Sequence, residues 1–387
     1  MIMRNREELE AREAQILDRR AVFAARSLGR RLPETEDALR TCFQRDRDRI
    51  LHSAAFRRLQ QKTQVLPATT GDHYRTRLTH SLEVSQLARS ASLTLGLNPD
   101  LAETVALAHD LGHPPFGHVG EKALDRLLDE HGGYRHNAQV LRILDDLEDR
   151  FPQGYGLNLS WETRLCLIKH RVPDGFPMSA DLPRKATPYL EGQIVDLCDR
   201  AAYVAHDMDD ALRGGHVTWD EFAELSLPHE ADERARDKLD RLRSESGLSE
   251  EPNEKQLIRR RVSTLVSMLV QDLVRATGAS LGEARLVQDC EQARKEPYLA
   301  CHTAKRKGEI QELLKFLNER FYRHPEVFKA VQEAAARMTQ VYQRILSEPS
   351  LLPERFQVRI DREGLERTVG DYVGGMTDRY VERLSKS

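Results

Sequence analysis

The sequence predicts an all-α protein carrying one small β-hairpin. Over most of its 387 residues, Leu and Ala alternate with Arg and Glu at helical spacing. Runs of Val, Ile and Thr are scarce, which leaves little material for strands. At 40% hydrophobic and 31% charged, the composition is that of a globular chain rather than a disordered one. No internal repeat or low-complexity tract divides the chain, so one large domain over residues 1–387 is expected.

Taken in order, residues 1–28 read as an amphipathic arm and 35–62 as an Arg-rich helix or two. The stretch TQVLPATTGDHYRTR, with a Pro and Gly turn between two short extended pieces, predicts the hairpin. A helix follows from about Leu78 to Leu95. Asn98-Pro99-Asp100 then makes a good helix start, with Asn as cap and Pro in the first turn, and that helix runs to His109-Asp110. A second strong helix covers about 191–213. Residues 230–256 are nearly all polar and are expected to form an exposed excursion. Helical pattern resumes from Leu257 to about Leu346, within a C-terminal helical part at 257–387.

The formal net charge of −3 advertises no global affinity for nucleic acid. Five scattered cysteines with no CxxC argue against a disulfide framework or a thiolate zinc site and for a reducing compartment. The N-terminus is charged from its fourth residue, unlike a secretion signal. No apolar run approaches the roughly 18 residues needed to span a bilayer. A cytoplasmic protein without a membrane partner is expected.

Seven of the fourteen histidines fall between 73 and 136, and three of them stand in AHDLGHPPFGH at 108–118. His80 shares a helical stripe with Val84, Leu87 and Ala91, and His109 shares one with Leu101 and Val105, so both should point inward. Asp110 follows at a helix end, where the backbone can turn its carboxylate the same way. Burying a carboxylate without a partner is costly. A divalent cation is one good partner and an arginine is another. On the later helix Asp199, Tyr203 and Asp207 recur at i, i+4 and i+8 on one face, and the apolar neighbours of Asp199 suggest that it is buried. His80, His109, Asp110 and Asp199 would make a mixed nitrogen and oxygen site for magnesium or a divalent transition metal.

The spacing of these four residues matches the H…HD…D pattern of the HD-domain phosphohydrolases. The blocks FQRDRDRILHSAAFRRLQQKTQV, GDHYRTRLTHSLEVSQLAR, HDLGHPPFGHVGEKAL, HNAQVLRIL, DRAAYVAHDMDDAL and GGMTDRY, spread over residues 43–380, resemble the bacterial dGTPase-like deoxynucleoside triphosphate triphosphohydrolases. The resemblance implies an HD-type helical fold with its core at about 62–215. It implies hydrolysis of a dNTP at the α-phosphorus to a deoxynucleoside and inorganic triphosphate. It makes His80, His109, Asp110 and Asp199 the ligands of a divalent metal (Mg, Mn, or a first-row ion such as Fe, Co or Ni). His118 and Glu121, at i and i+3, become the acid/base unit, with His113 near the α-phosphate. Arg77, His136 and Arg200 would face phosphate. Gln64, Val65, Tyr203 and Asp207 would face sugar or base. The stretch NERFYRH, with Arg320, Tyr322 and His324, resembles a phosphate-contacting segment.

The same resemblance implies a homo-oligomer, often a hexamer in the family. The Arg-rich N-terminal segments leave single-stranded nucleic-acid binding open as a second activity. Two other readings compete. One is an HD phosphohydrolase acting on an alarmone or a nucleoside monophosphate, which would release no triphosphate. The other is a nucleotide sensor or single-strand-binding protein with a silent site, against which the full metal set and the His118/Glu121 pair argue.

Overall fold

The computed structural model describes residues 4–64, 76–151, 156–247, 251–295 and 297–386. Its regular elements are helices. They are α1 Arg6–Ile16, α2 Cys42–Leu51, α3 Ala54–Arg58, α4 Arg77–Leu95, α5 Pro99–Ala108, α6 Gly117–Leu127, α7 His136–Arg142 and α8 Trp161–Cys166, then α9 Leu190–Arg213, α10 Trp219–Ala223, α11 Ser226–Ser246, α12 Glu254–Glu283 and α13 Cys290–Ala293, and finally α14 Ala304–Leu317, α15 Pro325–Ser347, α16 Glu354–Gln357, α17 Ile360–Glu363, α18 Leu365–Gly374 and α19 Asp378–Leu384. Among the described residues there is no strand. At the expected hairpin, Thr63 and Thr76 form an isolated antiparallel bridge, and residues 65–75 between them lie outside the described residues. No described helix is long and apolar enough to cross a membrane.

The chain divides into two compact units. The first comprises residues 1–196, 286–298 and 329–387, and the second 197–285 and 299–328. In the first unit α5 is a central helix. Asn98 caps it by accepting from the amides of Asp100 and Leu101, and Pro99 supplies the first turn. Leu101, Ala102, Val105, Ala106, Leu107 and Ala108 are all buried, so α5 is apolar nearly all round and packs on both α2 and α4. Each large side chain among them contributes about 1.5–3 kcal/mol by leaving water. α4 starts on a Thr76 cap and stops at Gly96, whose φ of 69° is the left-handed conformation glycine tolerates. A second core in this unit joins Leu124 of α6 and Leu128 just after it to Met338, Val341 and Tyr342 of α15, Val369 and Val373 of α18 and Val381 of α19.

The arm at 1–28 is held differently from the amphipathic expectation. α1 buries no residue. Carboxylates, those of Glu162 and Glu191 buried, grip the backbone that follows it. Glu13 accepts from the Ala24 amide, Glu191 from the Val22 amide, and Glu162 from the Leu28 amide and the Ser27 hydroxyl. Burial pushes the Glu13 carboxyl up to about 7.

In the second unit α11 packs on α12 and α14. The polar stretch at 230–256 is therefore not wholly an excursion. Leu227, Ala231 and Ala235, one turn apart, are buried, while Asp232 pairs with Arg261 and Glu230 with Arg306. A narrow stripe of small apolar residues suffices to dock a helix whose other faces are charged.

Candidate active site

α4 and α5 bring His80, His109 and Asp110 together. All three are buried, and a ligand atom from each lies within 4.8 Å of the others. The His80 and His109 rings meet edge to face at 5.5 Å. Asp110 uses both oxygens. Its Oδ1 lies 3.2 Å from His113 Nε2 and 3.5 Å from His109 Nε2, while its Oδ2 accepts from Arg77 at 2.9 Å. Burial alone would raise the Asp110 carboxyl, but His109, Arg77 and His113 override it and hold the group well below the usual carboxylate range. Two imidazoles and a carboxylate, without thiolate, fit a divalent metal. Arg77, expected to face phosphate, pairs with the carboxylate; it is 2% exposed, and its Nε has no hydrogen-bond partner among the described residues.

The Gly and Pro residues of AHDLGHPPFGH shape the corner between α5 and α6. A Cβ on Gly112 would stand 2.0 Å from the His136 carbonyl oxygen, so glycine there lets the start of α7 approach. Phe116 and Gly117 both adopt positive φ, 61° and 58°, which turns the chain sharply into α6. On α6, His118 Nδ1 lies 3.3 Å from Glu121 Oε2. The other oxygen of Glu121 accepts from the His136 amide and from His136 Nδ1, each at 2.8 Å. Burial would raise Glu121, yet its bonds to His118 and His136 hold it below the usual carboxylate range. His136 stacks on His113 at 3.9 Å. Burial, followed by the Arg77 charge, depresses His113 well below an ordinary histidine, so it is neutral at pH 7. Its Nε2 faces Asp110 as donor, which leaves the buried Nδ1 as an acceptor with no hydrogen-bond partner among the described residues. His118 is different in exposure. Its side chain is 59% exposed, and with Nδ1 turned to Glu121, Nε2 is the nitrogen left for solvent or substrate.

Gln64 lies close to this corner, since a Cβ on Gly117 would approach its carbonyl oxygen at 3.5 Å. The Gln64 Oε1 is buried with no hydrogen-bond partner among the described residues. Val65 lies outside the described residues.

The second unit holds the remaining expected residues. Tyr203 and Tyr322 share a hydrogen bond between hydroxyls at 2.7 Å, and the Tyr322 hydroxyl also donates to Asp207. Burial and the Asp207 charge raise Tyr322 far above an ordinary phenol, so it stays protonated. Asp207 is buried, and nearby on α9 Arg213 pairs with Asp209 at 2.9 Å. His324 packs on His216 at 4.7 Å, and Arg320 pairs with Glu221. Arg200 is exposed. Asp199 is only half-buried, contrary to the expectation from its neighbours. Residues at i±1 on a helix lie about 100° away, so the buried Cys198 does not carry Asp199 inward with it.

Comparison with known proteins decides the family. Residues 77–204 match the HD domain, and residues 300–387 match the phosphohydrolase-associated domain. A deoxyguanosinetriphosphate triphosphohydrolase-like protein of Deinococcus radiodurans is 44% identical over 386 residues, covering 98% of each chain. The chain belongs to the deoxyguanosinetriphosphate triphosphohydrolase-like family. A Geobacter sulfurreducens protein of the same description is 41% identical over 93% of this chain and 92% of its own. One from Leptospira interrogans is 37% identical over 99% of both. Membership makes the chain a hydrolase with an HD domain, and His80, His109 and Asp110 fall inside the matched span.

The sequence reading of this triphosphohydrolase-like chain missed three groups that touch the corner. Tyr134 donates to the Gly112 carbonyl at 3.0 Å, Lys62 donates to the His113 carbonyl, and Asp378 accepts from the Phe116 amide at 3.0 Å. Lys62 and Asp378 stand inside KTQV and GGMTDRY, motifs that carried the resemblance without an assigned role.

Proposed function

We propose that the protein hydrolyses deoxynucleoside triphosphates at the α-phosphorus, releasing a deoxynucleoside and inorganic triphosphate. The observation that carries this reading is the joining of two side-chain clusters in the first unit. The buried His80–His109–Asp110 set stands beside a cluster in which Glu121 bonds His118 and His136 and His136 stacks on His113, and the contact of His113 with Asp110 connects the two. The relatives named for dGTP triphosphohydrolysis support it.

In this reading His80, His109, Asp110 and, by the family pattern, Asp199 hold a divalent metal. When bound, that ion polarises the α-phosphate and lowers the pKa of a water. The chain's own groups do the rest. Glu121 accepts a hydrogen bond from the Nδ1–H of His118, keeping the proton on Nδ1 and so leaving Nε2 basic. His118 Nε2 then exchanges a proton with the attacking water or the leaving 5′ oxygen. By the family resemblance, Arg77, His113, His136 and Arg200 would contact the phosphates, and Gln64 and Val65 the sugar and base. Tyr203 closes off C2′, with Tyr322 and Asp207 behind it, His324 lying further along the same segment. A hydroxyl is hard to exclude by apolar packing alone, so a wall braced by hydrogen bonds is a suitable device against ribonucleotides. The same reading carries a homo-oligomer in the cytoplasm.

The deciding experiment incubates purified protein with each dNTP and with Mg, Mn, Fe, Co or Ni, resolving the products. Triphosphate plus deoxynucleoside is expected. Pyrophosphate or orthophosphate as the primary product, or turnover confined to an alarmone or a monophosphate, overturns the reading.

A further inference from the structure

We propose that Asp378 and Lys62 are positioning residues of the active site, a cross-brace that sets the corner at 112–117 and so aims His113 and His118. This rests on the hydrolase reading above. The corner carries both histidines yet lacks the usual local supports. Its Phe116 adopts φ 61° without being glycine, and no side chain of its own caps α6. Its backbone groups are met instead by buried side chains from distant segments.

Asp378, at the start of α19, is 4% exposed. Its Oδ1 accepts from the Phe116 amide at 3.0 Å, two residues before His118. Its Oδ2 accepts from the Thr63 amide at 2.9 Å and from the Thr63 hydroxyl. Lys62 is 3% exposed and donates to the carbonyls of His113 and of Gly374, the latter at 3.0 Å. Lys62 therefore ties the corner to the end of α18 through His113 and Gly374, and Asp378 ties it to Thr63 through Phe116. The brace extends to α4, because the Arg77 amide donates to the Lys62 carbonyl at 3.2 Å and Thr63 bridges Thr76.

Among the described residues the Lys62 ammonium donates to carbonyls only, and burial depresses Lys62 well below its ordinary value, with Asp378 opposing that effect. Nothing in the reaction as described uses Lys62 or Asp378 chemically. Both are buried on backbone groups, and the groups they hold belong to the segment that carries His113 and His118. The physical consequence is specific. Loosening the brace leaves His80 on α4 and His109 and Asp110 at the end of α5, but lets the acid/base histidine move, and small misplacements at a reacting centre cost about a hundredfold in rate.

The test compares full-length protein with Asp378→Asn, Lys62→Met and, as a control of matched stability loss, Val381→Ala, a core residue on the same helix as Asp378. Asp378→Asn keeps the shape but turns a donor toward one of its donors; Lys62→Met keeps the length and removes the donor. Both are expected to retain metal, to lower kcat by about tenfold or more with KM within a few-fold, and to speed amide exchange over 112–118 but not over α5. Val381→Ala is expected to keep kcat. Equal kcat loss in Val381→Ala, or unchanged exchange at 112–118 in both brace variants, overturns the proposal. If the parent turns over no dNTP with any metal, the hydrolase reading fails and the exchange measurement alone decides the brace. If one brace variant does not fold, the other is read in its place.

Discussion

Glu121 holds two histidines with one carboxylate: its Oε2 lies 3.3 Å from His118 Nδ1 and its Oε1 lies 2.8 Å from His136 Nδ1. One acid thus orients the exposed ring expected to move protons and the half-buried ring stacked on His113. The consequence can be read in both rate and stability. Glu121→Gln is predicted to lower kcat by about 10- to 100-fold, the usual cost of losing a group that orients a functional histidine. His118→Ala should lose about 10²- to 10⁴-fold while retaining metal. The folded carboxyl of Glu121 is depressed, so its stabilising contribution is present above the ordinary glutamate pKa and shrinks as pH falls below it. The gap in melting temperature between parent and Glu121→Gln should therefore be wide at pH 7 and narrow toward pH 3. A gap that widens on acidification contradicts the sign.

Asp110→Ala removes a proposed metal ligand and also strands Arg77, whose guanidinium is 2% exposed. Breaking a buried ion pair by removing one partner typically costs about 3–5 kcal/mol. The variant is predicted to melt lower than the parent even when both are measured in chelator, and to show no metal by elemental analysis. A melting temperature equal to that of metal-free parent would mean that Arg77 finds another partner or solvent.

Tyr322→Phe deletes the hydroxyl that joins Tyr203 to Asp207. Leaving a buried carboxylate without this donor costs about 1–3 kcal/mol, and the Tyr203 ring loses its brace. Tyr203→Ala is predicted to relax discrimination between dGTP and GTP, and Tyr322→Phe to relax it less while weakening both. Paired kcat/KM values on dGTP and GTP test this. Unchanged ratios in both variants would place sugar selection elsewhere, with Gln64 and Val65 the next residues to change.

Gly112→Ala is predicted to be strongly destabilising despite its small size. The added Cβ would stand 2.0 Å from the His136 carbonyl and 2.6 Å from the Val140 amide nitrogen, both backbone atoms that cannot rotate away. α7 must shift, taking His136 off Glu121. Gly308→Ala, which meets nothing within 4 Å on the exposed face of α14, is the control and should be neutral or slightly stabilising in a thermal melt.

Much of this architecture is local and was legible in the residues. Asn98 before Pro99 announces where α5 begins, and its period places His109 on the stripe of Leu101 and Val105; the structure buries all three. The i, i+3 spacing of His118 and Glu121 likewise predicts their contact, because two side chains one turn apart on a helix must meet. Periodicity also predicts that Asp199, Tyr203 and Asp207 share a face, but not how deeply each sits. Asp207 is fully buried and Asp199 half-exposed because depth depends on what packs against each turn.

What only the tertiary structure decided are the partnerships between segments far apart in the chain. The motif contains no sign that Glu121 would reach His136, that Arg77 would close on Asp110, or that Tyr322 would meet Asp207. Nor does it show that Lys62 and Asp378 would hold the His113–Phe116 corner. A helix's own repeat dictates the direction in which its side chains leave the axis, which is a property of neighbouring residues. Which distant atom waits there is set by how helices pack, and packing is determined by the summed burial of the whole unit rather than by any one stretch of it.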